Sequence, residues 1–121
     1  MDYKFDNDKP IYKQLVDQLK LEIITGKYKP NDKLPSVREF ALELKVNPNT
    51  VQRALLELED SKLIETRRTT GKFVTDNKKM IDNTKTEIIN NIMKDFFNNI
   101  ENLNISNEEI IKYIKQNRKD E

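Results

Sequence analysis

A mainly α-helical fold with one small β-hairpin is predicted for this chain of 121 residues. Three observations carry the prediction. Apolar residues recur three and four apart in five segments, the spacing of one helix face. Serine, asparagine and proline stand where those segments begin, as helix starts require. After Lys62 the helical period gives way to two β-prone runs joined by a polar linker. Two short helices a few residues apart, followed by a hairpin, outline a winged helix-turn-helix.

The first helix is predicted from Pro10 to Thr25. Proline suits its first turn, and Ile11, Leu15, Leu19 and Ile23, flanked by Tyr12, Val16 and Ile24, form a broad apolar stripe. Gly26 ends it, where glycine accepts a left-handed backbone most easily. Lys27 to Lys33 reads as a turn around Pro30, Asn31 and Asp32. The second helix opens on the capping box Ser36-Val37-Arg38-Glu39, buries Val37, Phe40, Ala41 and Leu44, and ends near Lys45. In the third, Asn47 caps, Pro48 takes the first position, and Val51, Ala54, Leu55 and Leu58 turn inward, to about Ser61. Leu63–Arg67 and Lys72–Thr75 are the strands of the hairpin, with Arg68, Thr69, Thr70 and Gly71 at its tip.

Residues 77–103 read as one long helix, with Ile81, Ile88, Ile89, Ile92, Met93, Phe96, Phe97, Ile100 and Leu103 along it. A second capping box, Ser106 to Glu109, starts a final helix. Ile105 and Ile110 staple its entry, and Ile110, Ile111 and Ile114 form its apolar face. The polar residues from Gln116 onward are expected to fray.

Composition removes whole classes of function. The chain has no cysteine and no histidine, so thiolate and imidazole metal sites, Ser-His-Asp triads and Cys-His dyads are excluded. Two glycines leave nothing for a Gly-rich phosphate loop. No catalytic residue, metal or cofactor is expected. No apolar run approaches a membrane span, and the opening MDYKFDNDKP has no apolar signal core, so a cytoplasmic protein without membrane contact is expected. The net charge is only +1, but residues 62–79 hold six basic side chains against two acidic ones, a positive middle ahead of a mildly acidic tail.

The strings Leu34-Pro-Ser-Val-Arg-Glu-Phe-Ala41, Val46-Asn-Pro-Asn-Thr-Val-Gln-Arg-Ala-Leu55 and Gly71-Lys-Phe-Val74 resemble the GntR family of bacterial transcription regulators. Pro10-Ile-Tyr12 and Ile24-Thr-Gly26 fit as well, and the resemblance spans about residues 8–75. It implies a winged helix-turn-helix DNA-binding domain over 1–76 and, over 77–121, a two-helix C-terminal dimerisation tail of the small YtrA type. That subfamily often regulates ABC transporter genes. The function implied is a sequence-specific transcriptional regulator, a repressor, holding a palindromic DNA operator as a homodimer. The family commonly has glycine where Asn31, Lys62 and Thr69 stand here.

A recognition helix reads base edges from its first turns. Those turns hold Asn47, Asn49, Thr50, Gln52 and Arg53. Asn and Gln suit adenine, Arg suits guanine, and the Thr methyl suits thymine. Asn47 serves equally as a cap alone, and Arg53 equally as an ion-pair partner of Glu57. In the family the residue matching Arg38 contacts DNA; a surface pair with Glu39 or Glu43 is its alternative. Ser36 is a cap that can add a phosphate contact. Arg67, Arg68, Thr69, Thr70, Gly71 and Lys72 form a wing that neutralises phosphate or enters the minor groove, or simply guards a strand edge. The apolar face of Ile88, Ile89, Ile92, Phe96, Phe97, Ile100 and Leu103 is expected as a dimer seam; a small-molecule effector bordered by Met93, Phe96, Phe97 and Tyr113 stays open. A winged helix used only for protein contacts would show apolar residues on the third helix, and this one shows Asn, Thr, Gln and Arg.

Overall fold

The computed structural model describes residues 1–68 and 70–118; Thr69 and residues 119–121 lie outside the described residues. Its elements run in the order α1 (Ile11–Ile24), α2 (Val37–Leu44), α3 (Pro48–Asp60), β1 (Ile64–Thr66), β2 (Lys72–Val74), α4 (Lys78–Ile100), a 3-10 turn (Glu101–Leu103) and α5 (Asn107–Asn117). Contacts group residues 1–85 into one unit and 86–121 into a second.

In the first unit the starts predicted from sequence hold. Ser36 Oγ accepts the Glu39 amide and the Glu39 carboxylate accepts the Ser36 amide, both at 3.1 Å, which satisfies two amides that α2 leaves unpaired. Asn47 Oδ1 accepts the Asn49 amide at 2.8 Å, and Pro48 opens α3. Lys45, in a left-handed conformation at φ 56°, turns the chain from α2 into α3.

The core gathers Leu15, Val16, Leu19 and Ile23 of α1, Phe40 and Ala41 of α2, and Val51, Ala54, Leu55 and Leu58 of α3. Leu63, Ile64 and Val74 close it from the hairpin, and Ile81 from the first turn of α4. Ile11 departs from the predicted stripe. It stays 40% exposed, and Tyr12 packs on the core in that turn of α1. Glu22 is buried on α1, where it accepts the Tyr3 hydroxyl and pairs with Lys27 Nζ at 3.0 Å. Burial beside that carboxylate pushes the Tyr3 and Tyr28 hydroxyls up.

The hairpin pairs antiparallel, Ile64 opposite Val74, Glu65 opposite Phe73 and Thr66 opposite Lys72. The turn before α2 is more than the plain loop predicted. Lys33 bridges to Phe73, and β2 bonds the neighbouring backbone through Val74 O to Asn31 N (3.0 Å), Val74 N to Asp32 O (2.8 Å) and Lys72 O to Leu34 N (2.9 Å). β2 is therefore bonded on both edges, which ties the hairpin to the entry of α2.

In the second unit the predicted helix to residue 103 ends as an α-helix at Ile100. Its last three residues tighten into the 3-10 turn, and Asn104 reverses the chain at φ 51°. Ser106 caps α5 by accepting the Glu109 amide at 3.2 Å, but the reciprocal half of the capping box is not made. Glu109 Oε1 instead takes the Ser106 hydroxyl at 3.4 Å. Ile110 is buried and Ile105 half-buried, as the staple requires. Gln116, expected to fray, stays in α5, and Asn117 is bonded to the Tyr113 carbonyl at 2.8 Å.

Lys62 follows α3 at φ 69°, a left-handed conformation that strains any residue with a Cβ, and its side chain is exposed. Lys62→Gly should raise unfolding stability by about 1 kcal/mol, read as a higher urea midpoint at unchanged slope. A lower midpoint would mean that the lysine side chain contributes more than its backbone costs.

Candidate nucleic-acid interface

Inward packing of Val51, Ala54, Leu55 and Leu58 leaves the opposite face of α3 to solvent. Asn47, Asn49, Gln52 and Arg53 are exposed there and Thr50 is half-buried. The Asn47 carbonyl is taken by the cap, which leaves its amide donors for a base or phosphate. Arg53 does not make the contact weighed from sequence within its own helix. No ion pair joins it to Glu57 among the described residues. Its guanidinium lies instead over the ring of Tyr12 on α1, with Cζ 3.8 Å from the centroid. Arg38 is exposed in the first turn of α2 and forms no ion pair with Glu39 or Glu43 among the described residues. Glu39 is already committed to the cap.

The wing is less free than its sequence suggests. Arg67 stacks on Phe73, with Cζ 4.5 Å from the ring centroid, and donates to Asn31 Oδ1 at 2.6 Å and Glu65 Oε1 at 2.9 Å. Lys72 Nζ reaches back to Glu59 at 3.0 Å and Thr66 Oγ1 at 2.9 Å, and Thr66 also donates to Glu59. These side chains hold the wing to its supports. Arg68 is exposed at the tip in a left-handed turn, φ 46°, and is the wing cation without such a tie among the described residues. Thr69 lies outside the described residues. Thr70 closes the tip by bonding the Arg67 carbonyl at 2.9 Å through its amide. Gly71 sits at φ 114°, and a Cβ there would meet Lys33 Cε at 3.1 Å. Ser36, Thr70, Gly71 and Lys72 line one hollow of about 350 Å³ between the entry of α2 and the wing. The structure thus brings Thr70, Gly71 and Lys72 of the wing together with the α2 cap, whereas Arg67 and Arg68 do not line that hollow.

Comparison with known proteins places the chain in a family. The family model described as "Bacterial regulatory proteins, gntR family" matches residues 11–74, from the first residue of α1 to the last of β2. The chain belongs to the GntR family. It is 38% identical over 115 residues to the uncharacterized HTH-type transcriptional regulator YhcF of Bacillus subtilis, covering 95% of each chain. It is 49% identical over 70 residues to the HTH-type transcriptional repressor YtrA of the same organism, covering 58% of this chain and 54% of YtrA. Among solved structures, a GntR family regulator from Listeria monocytogenes superposes with a TM-score of 0.87 at 45% identity, over 93% of this chain and 98% of that one. The protein is a DNA-binding transcriptional regulator of winged-helix fold.

Within this GntR regulator, three contacts of the interface were not readable as sequence patterns: Arg53 on Tyr12, Arg67 on Asn31 and Phe73, and Lys72 on Glu59. Tyr12 falls inside the Pro10-Ile-Tyr12 string, which was the available signal for the first. The other two join positions outside any single helix or strand and leave no periodic trace.

Glu59 is the acceptor on which the wing's Lys72 and Thr66 converge. Those hydrogen bonds from Thr66 and Lys72 hold its carboxyl below the usual carboxylate range. A depressed folded pKa stabilises above the unfolded value, and that contribution is lost as pH falls through the folded one. Glu59→Gln should therefore remove part of the acid-induced loss of stability below about pH 4.3. At neutral pH it should speed amide exchange at Lys72–Val74. An acid limb identical to that of the unsubstituted protein would show that Glu59 does not anchor the wing.

Proposed function

We propose that this regulator is a repressor that binds a palindromic operator as a homodimer in the cytoplasm, with residues 1–76 as the reading head and 77–121 as the dimerisation tail. The observation that carries the dimer is the apolar surface left on the second unit. Ile92 is 61% exposed, Leu103 62%, Ile89 47% and Phe97 45%. Ile88 and Ile100 are half-buried, and Phe96 borders an apolar hollow of about 580 Å³ with Ile100, Leu103, Ile110 and Tyr113. Among the described residues of that unit only Ile110 is buried, so one copy does not cover its own apolar face. Apolar patches of this extent mark interfaces, and a two-fold pair of heads matches a palindrome. A small apolar effector in the 580 Å³ hollow is the second reading, favoured by its lining alone.

On the DNA side, Asn49, Gln52 and Thr50 read bases, with Asn47 supplying its spare amide. Ser36, Arg38, Arg68, Thr70 and Gly71 meet the backbone, and Arg67 and Lys72 mainly brace the wing. YtrA is named a repressor, which supports that sign here. The resemblance to its type supports an operator ahead of ABC transporter genes.

Two measurements test this. Ile92→Asp places a charge on an exposed residue of the seam, so it should leave each chain folded while converting a dimer to monomers by light scattering at micromolar concentration. Palindrome binding should then fall by at least tenfold through lost linkage of the heads. A wild-type monomer that binds the palindrome tightly would overturn the dimer. Separately, Asn49→Ala and Gln52→Ala should each cost about 1–3 kcal/mol on the palindrome and little on scrambled DNA. Equal losses on both would remove the base-reading assignment.

A further inference from the structure

Tyr12 was not among the DNA-contacting residues expected from the sequence, yet it is the partner of one of them. The Arg53 guanidinium lies 3.8 Å from its ring centroid, and Lys13 Nζ lies 5.5 Å from the same ring. We infer that Tyr12 is a positioning residue for DNA binding, which holds Arg53 as a preformed fork for a backbone phosphate at the flank of the recognition helix. The inference rests on the DNA-binding reading above and adds to it a residue, a role and a partner chemistry.

The platform is rigid. Tyr12 is half-buried in the first turn of α1 and packs against the core, so its ring cannot swing freely. The cation is uncommitted in charge, because no carboxylate pairs with exposed Arg53 among the described residues. A guanidinium stacked on a ring keeps its in-plane N–H donors free to engage two oxygens at once, and Cζ at 3.8 Å from the centroid is within stacking distance. A free arginine loses rotamer entropy when it binds; one already held against a ring loses less.

Phosphate fits this site better than guanine. A base reader projects from the recognition helix into the groove, whereas Arg53 leans sideways onto the ring of Tyr12 on another helix. Lys13 beside the same ring adds a second positive charge, which suits a chain of phosphates and has no counterpart at a single base edge.

The contact is sequence-independent, so the probe is a mixed-sequence duplex of about 30 base pairs, three helical turns. Full-length protein is titrated by fluorescence anisotropy across a salt series. Tyr12→Leu keeps apolar volume but removes the π-face. It should weaken binding about threefold to fivefold and lower the slope of log K against log salt by about 0.9, one phosphate. Arg53→Ala should do the same, the double variant should be no worse than Arg53→Ala alone, and Tyr12→Phe should bind as wild type. A thermal melt checks that Tyr12→Leu is folded. If it is not, Arg53→Lys, which keeps the charge and loses the planar fork, should still weaken binding. Wild-type binding by folded Tyr12→Leu, losses that multiply in the double variant, or wild-type binding by Arg53→Lys would each overturn the inference. No binding of the duplex by the wild type even at the lowest salt would overturn the inference as well, while operator reading is decided separately by the palindrome.

Discussion

The packing of Val51, Ala54, Leu55 and Leu58 against the rest of the head decides which side of α3 meets solvent. Helical spacing then leaves Asn49, Gln52 and Arg53 on the other side. The reading surface is thus the complement of the core. The same packing sets α1 beside α3, which is why a tyrosine in the first turn of α1 can lie under an arginine of α3. A slip of the buried face by one residue would rotate α3 by about 100° and carry every polar reader out of line together.

A head this small cannot bury enough apolar surface to fix its wing by packing alone, and polar contacts complete the attachment. Only Ile64 and Val74 of the two strands are buried. Outside them, Arg67 is spent on Asn31, Glu65 and Phe73, and Lys72 on Glu59 and Thr66. Each such cation serves the fold at some expense to its reach toward DNA. Lys72 is the more enclosed, its side chain 19% exposed against 36% for Arg67, so it is the poorer candidate for a phosphate contact. That division places the wing's remaining charge at Arg68, beside a turn whose backbone is held by Gly71.

Three of the helix starts were legible because capping is local chemistry. Ser36 with Glu39, Asn47 with Pro48, and Ser106 with Glu109 each declare themselves within four residues. The left-handed positions at Asn31 and Lys62 were legible too, through the glycines that the family has there. The bridge from Lys33 to Phe73 was not, since a single paired residue carries no period. Nor were the partners of Arg67 and Lys72, which come from positions up to 36 residues away. Of the candidate site, then, the sequence identifies which residues are outward and charged. It does not distinguish cations available to a ligand from cations already engaged, because that depends on tertiary neighbours.

The weak overall charge bears on the proposed dimer. At a net +1 the chain lacks the long-range attraction of a strongly basic protein, and the wing's internal ties reduce its local supply further. A single head can then make few backbone contacts, and affinity from counterion release grows with the number of phosphates neutralised. Joining two heads doubles that number and makes the second contact intramolecular. The apolar surface of α4 and α5, costly to expose on a lone chain, would supply the association that makes such pairing persist. In that arrangement the tail would contribute to affinity by holding two weak readers at one spacing, and selectivity would follow from the requirement that both half-sites fit together.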